Sequence, residues 1–153
     1  MIPNEPETEN GEFVKGQVRG AVSMRGTTAD LYASPSAFMP ANMTQYLGET
    51  PFEVAIPALS NYLVAMVMAA SGVIVSLPDV VGYGQSSTNE RAYFSGLNYC
   101  QAAVLGWVAS EQFILQESTC TSLEPTATVI GYSEGGTAVI NGALALEKIG
   151  KYE

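Results

Sequence analysis

Residues 126 to 136 read Thr-Ala-Thr-Val-Ile-Gly-Tyr-Ser-Glu-Gly-Gly, and they decide how the rest of the chain is read. Thr126 to Ile130 is a short β-branched run of the kind found in strands, and an apolar helical pattern from Glu134 to Ile149 follows it directly. Between them lies Gly131-Tyr132-Ser133-Glu134-Gly135, a Gly-x-Ser-x-Gly at a strand-to-helix junction. A serine on so sharp a turn is forced into a strained backbone conformation, and glycines two residues to either side remove the Cβ atoms that would clash. Its hydroxyl then stands at the carboxyl end of the sheet, with the first N–H groups of the helix and the positive end of the helix dipole close by.

Working back from that junction, the periodicity predicts three strands alternating with three helices. Gln17 to Met24 reads as a short strand, and a helix fits from Pro51 or Phe52 to Ala70 through Ile56, Leu59, Leu63, Met66, Val67 and Ala70. Val73 to Leu77 and Thr126 to Ile130 read as strands buried on both faces. The helix between them is predicted over Phe94 to Gln116, burying Leu97, Cys100, Val104, Trp107, Val108 and Ile114, and the last helix ends at Gly150, placed as a C-terminal cap. Such alternation implies an α/β fold with a parallel sheet and right-handed crossovers. Residues 1–16, polar and holding Pro3 and Pro6, read as a flexible arm, which leaves 17–153 as a single domain.

Composition narrows the chemistry. The chain has 153 residues, of which 47% are hydrophobic and 14% charged, so it packs a core instead of remaining disordered. Its 15 acidic residues against 6 basic ones, a net charge of -9, leave nothing to neutralise phosphates, and nucleic acid is not an expected partner. With no histidine and two cysteines, neither a histidine-ligated nor a four-thiolate metal site can be built, and no cofactor is expected. The apolar stretch from Val54 to Leu77 contains Pro57, Asn61 and Gly72, so it reads as a helix and a strand and not as a membrane span. The amino terminus lacks the basic start and apolar middle of a signal peptide. Asn42-Met43-Thr44 is a glycosylation-type triplet of little weight. A Cys100–Cys120 disulfide is not expected, because Cys100 lies ~24 Å along its helix from the end while the following loop reaches back only ~14 Å.

Two motifs carry a resemblance to a known family. Gly131-Tyr132-Ser133-Glu134-Gly135-Gly136 resembles the nucleophile elbow of α/β-hydrolases, and Leu77-Pro78-Asp79-Val80-Val81-Gly82-Tyr83-Gly84-Gln85-Ser86 resembles the Pro-Asp-x-x-Gly-x-Gly-x-Ser turn after an earlier strand of that fold. The likeness is to secreted lipases and esterases, over residues 17 to 150. In that group a strand ends in His-Gly-Thr; the matching place here is Arg25-Gly26-Thr27, with arginine where histidine is usual. The resemblance implies a serine ester hydrolase acting on a small ester or lipid. Ser133 would be the nucleophile, and the N–H of Glu134 with one from Gly26 or Thr27 would form the oxyanion hole.

The triad acid and base of that fold follow the serine. After Ser133 the carboxylates are Glu134, Glu147 and Glu153, and the two aspartates, Asp30 and Asp79, precede it; Asp79 is expected to hydrogen-bond its own turn. The expectation is an incomplete hydrolase domain with low or no turnover of its own, which self-associates through an unpaired sheet edge. A related serine peptidase or acyltransferase, or a non-catalytic remnant that binds instead, remain alternatives, and the compartment is open although the family resembled is typically secreted.

Overall fold

A computed structural model describes residues 8–9, 12–13, 16–24, 62–86, 93–117 and 121–152. Gly26, Thr27, Asp30, the Asn42 triplet, the predicted start of the first helix and Cys120 lie outside the described residues. Within the segment read as an arm, β1 (Thr8–Glu9) and β2 (Glu12–Phe13) pair antiparallel. There follow β3 (Gly16–Met24), α1 (62–70), β4 (Ile74–Ser76), α2 (Gly96–Glu117), β5 (Thr121–Gly131) and α3 (Glu134–Lys148). The β3, β4 and β5 strands form one parallel sheet in the order β4-β3-β5, flanked by the three helices, so the chain is of the α/β class.

The centre of that sheet is not where the apolar runs place it. Strand β3 lies in the middle, with Ala21, Val22, Ser23 and Met24 all buried, whereas Ile74 to Ser76 and most of β5 are only half-buried. An apolar run reports burial but not order across a sheet, and both crossovers here return to strands beside β3. Strand β5 also starts earlier than the predicted Thr126. Its pairing with β3 passes from Val18–Leu123 to Gly20–Ala127, so Arg19 alone on β3 faces Glu124, Pro125 and Thr126 on β5. Pro125, which has no N–H to give a ladder, sits in the extra length. Among the described residues β5 has β3 as its one strand neighbour, and on its own side the Ala127 N–H donates to the Lys151 carbonyl at 2.6 Å.

The helices bury the predicted faces only in part, Trp107 and Ile114 of the second helix being buried as predicted. On α2 the buried residues are Tyr99, Ala102, Ala103, Gly106, Trp107 and Ile114, while Leu97 is 69% exposed and Val104 and Val108 are half-buried. Close approach explains the choice: a Cβ on Gly142 of α3 would lie 2.8 Å from the Ala103 Cβ, so the two helices meet through small side chains. On α1 the buried residue is Ala65; Leu63, Met66, Val67 and Ala70 of the predicted stripe are exposed. That helix is apolar nearly all round, and periodicity alone cannot select a face. Trp107 packs against Gly20 of β3 and belongs to one buried cluster with Val22, Met24, Val80, Tyr83, Tyr99 and Leu146.

The predicted end of the last helix holds. The Gly150 N–H donates to Glu147 and the Lys151 N–H to Leu146, with Gly150 at φ 71, and the chain turns back so that Lys151 Nζ reaches Glu111 Oε1 on α2 at 2.6 Å. Cys100 is a free thiol, its Sγ donating to the Asn141 carbonyl at 3.2 Å across the α2–α3 contact. No described helix is long and apolar enough to cross a membrane.

Candidate active site

The site begins where β5 stops. Gly131 ends the strand, Glu134 starts α3, and Tyr132 and Ser133 make the whole connection. So abrupt a reversal brings the backbone at either end of the turn into contact. A Cβ on Gly131 would lie 2.5 Å from the Gly135 carbonyl oxygen and 2.9 Å from that of Met24, so only glycine fits.

Ser133 takes up the remaining angle, with φ 56 and ψ −125, a region that side-chain-bearing residues rarely enter. A residue held there costs about 1–3 kcal/mol and persists only where its surroundings over-determine it. Serine at a helix N-cap ordinarily has extended backbone angles and its hydroxyl accepts from an N–H of the first turn, a bond worth ~1 kcal/mol. Here Ser133 makes no side-chain capping bond and is exposed. Strain is therefore accepted and a cap forgone at one residue, and the result is a hydroxyl presented outward at the carboxyl end of a parallel sheet. The Gly136 N–H donates to the Ser133 carbonyl at 3.0 Å, while the Glu134 and Gly135 N–H groups, at the start of the helix, have no acceptor within it.

Glu134 contributes more than a backbone N–H. It is 5% exposed, and its Oε1 accepts a 2.6 Å hydrogen bond from the Tyr99 hydroxyl of α2. The same hydroxyl accepts from the Phe94 N–H at 2.9 Å, and Glu134 Oε2 has no partner among the described residues. Burial, then the hydrogen bond to Glu134 and its negative charge, hold the Tyr99 phenol well above the ordinary tyrosine range, so it stays a neutral donor. The sequence marks neither Tyr99 nor the Glu134 carboxyl as a site group. The one available signal is that a tyrosine on a buried helix face needs a partner for its hydroxyl.

A cavity of about 250 Å³ opens beside the elbow, lined by Ser23 and Met24 of β3, Val64 and Met68 of α1, and Ile130, Gly131 and Tyr132. Tyr132 therefore faces a mostly apolar space at the strand ends, while Trp107 is buried in the core.

The Pro-Asp turn proves to be a structural lock. Ser86 Oγ accepts from the Gly82 N–H at 3.0 Å and donates to the Tyr83 carbonyl at 2.8 Å, while Gly82 and Gly84 have φ 93 and 56. Val80 and Tyr83 are thereby pressed into the core. Asp79 acts electrostatically on Tyr62, whose phenol is pushed up to about 12, first by burial and then by the Asp79 charge. No group of three or more histidine, cysteine, aspartate or glutamate side chains among the described residues could hold a metal. The chain matches no known protein family, no curated protein and no solved structure.

Proposed function

We propose that this chain carries the nucleophile-bearing part of an α/β-hydrolase-type serine ester hydrolase, of lipase or carboxylesterase kind, with Ser133 as the attacking residue. The carrying observation is the Ser133 backbone, strained at φ 56 and uncapped, on a two-residue turn between β5 and α3. The sheet order supports the same reading. Met24, which leads into Arg25-Gly26-Thr27, lies in register with Gly131, so the strand proposed to lead to the second oxyanion contact ends beside the elbow.

In this reading Ser133 Oγ bonds to the ester carbonyl carbon and the carbonyl oxygen takes the negative charge. The Glu134 N–H and one from Gly26 or Thr27 stabilise that charge. The Ser133 hydroxyl proton passes through solvent water to the alcohol oxygen as the C–O bond breaks, leaving an acyl-serine that a second water hydrolyses to the carboxylic acid and the free serine hydroxyl. The mostly apolar cavity beside the elbow is where the acyl chain would lie. With no imidazole in the sequence, Ser133 keeps an ordinary hydroxyl and turnover by these 153 residues alone is low. That absence is the specific observation favouring the second reading, a non-catalytic hydrolase-like domain that binds carbonyl compounds.

The test is acylation. Incubation with a p-nitrophenyl ester followed by peptide mass spectrometry should find an acyl adduct on the peptide holding Ser133 and none in Ser133→Ala. Equal labelling of the two proteins, or adducts confined to other residues, would sink the reading.

A further inference from the structure

Two non-glycine residues among those described have positive φ, Phe94 at 54 and Ser133 at 56. They are far apart in sequence, on the loop before α2 and the turn before α3. One hydroxyl lies between them. Tyr99 Oη accepts from the Phe94 N–H at 2.9 Å and donates to the carboxyl of Glu134, the neighbour of Ser133, at 2.6 Å. Tyr99 is 1% exposed and Glu134 5%, so neither side chain can exchange these bonds for water.

Backbone held in a disfavoured region relaxes unless something opposes it. At Ser133 relaxation to ordinary N-cap angles would also let the hydroxyl cap the helix, a bond it does not make here, so something must hold it out of that state. Gly131 permits the turn by removing a clash, but a permissive residue does not enforce a conformation. The Glu134 carboxyl, tied back to α2 by the Tyr99 hydroxyl, anchors the elbow to the body of the fold. Swinging Ser133 to ordinary angles would move Glu134 and break the bond, leaving both carboxyl oxygens buried without partners, since Oε2 has none already.

We infer that Tyr99 is a positioning residue, a clamp that holds Ser133 in its strained conformation through the Glu134 carboxyl and fixes the Phe94 loop with the same hydroxyl. The clamp rests on the proposed hydrolase only for its purpose, presentation of the Ser133 hydroxyl and the Glu134 N–H. Its existence is a matter of conformational energy and is tested without substrate.

The experiment is a double-mutant cycle between Tyr99→Phe and Ser133→Gly, read as the midpoint of denaturant unfolding of the full chain. Glycine accepts the angles of Ser133 without strain, so Ser133→Gly raises the midpoint in the wild-type background. In Tyr99→Phe the elbow is already relaxed, and Ser133→Gly then lowers the midpoint, because glycine adds only unfolded-state freedom. Should Tyr99→Phe fail to fold, Glu134→Ala, which removes the acceptor, takes its place in the cycle with the same expectation and the same refutation, and Glu134→Gln is the control. Its amide oxygen still accepts from Tyr99, so Ser133→Gly must raise the midpoint there as it does in wild type. An unchanged effect of Ser133→Gly in Tyr99→Phe, or loss of the rise in Glu134→Gln, would overturn the clamp. A coupled cycle with no acylation of Ser133 keeps the clamp and sinks the hydrolase; an additive cycle with acylation does the reverse.

Discussion

Adding one methyl group at Gly131 tests whether the strand-to-helix turn is as tight as described. An alanine Cβ there would stand 2.5 Å from the Gly135 carbonyl oxygen, 2.8 Å from the Gly135 carbonyl carbon and 2.9 Å from the Met24 carbonyl oxygen. All three are backbone atoms, so no flexible side chain can swing aside, and either β3 or the first turn of α3 must move. Overpacking of this kind costs about 1–3 kcal/mol, and an all-backbone collision belongs near 3. For a domain of this length 1 kcal/mol shifts the melting temperature by about 2–4 °C, so Gly131→Ala should lower it by about 6–12 °C. Gly136 provides the internal contrast. A Cβ there meets nothing within 4 Å and lies inside α3, so Gly136→Ala should raise stability by about 0.5–1 kcal/mol. The assay is thermal unfolding followed by circular dichroism, with all three proteins at one concentration. A Gly131→Ala midpoint equal to or above that of wild type would refute the tight-turn geometry.

Gly20→Ala makes a similar demand at the other end of the core. Its Cβ would lie 2.5 Å from the Trp107 ring, so a loss of about 1–3 kcal/mol is expected. Because Trp107 is the sole tryptophan, its fluorescence should report both the displaced ring and the earlier unfolding; an unchanged spectrum and midpoint would contradict the contact. Alkaline stability should follow Tyr62, whose phenol is pushed up to about 12 in the folded chain from the usual value of 10.0. Between those values the unfolded chain has lost a proton the folded chain still holds, so this contribution is complete below pH 10 and declines as the pH rises towards 12. Asp79→Asn should move the Tyr62 titration part of the way back, since burial is the larger cause, and a full return would reverse that ranking.

The agreement between the sequence and the structure has a simple pattern. Alternation of strand and helix, the place of the elbow and the Gly150 cap all depend on residues within a turn or two of one another, and all were legible. The Pro-Asp turn was recognisable as a motif, but its working parts were not: Ser86 locks the turn through Gly82 and Tyr83, and Asp79 acts on Tyr62 of α1. The buried faces of α1 and α2 were partly misread for a related reason. Both helices offer apolar residues on more than one side, and the choice fell to small residues, Ala65 and the Ala103 that meets Gly142, where another element comes close.

What the sequence by itself determined is an α/β alternation and a serine on a turn too sharp for any residue but glycine two positions before it. Periodicity and local sterics carry that information, and both are written in consecutive residues. Tertiary structure alone decided that β3 is the central strand, that Ser133 stands uncapped at φ 56, and that Tyr99, thirty-five residues before Glu134, holds the carboxyl next to it. Pairing order and a side-chain bond across two helices arise from the packing of separate elements, and no period within either element encodes them.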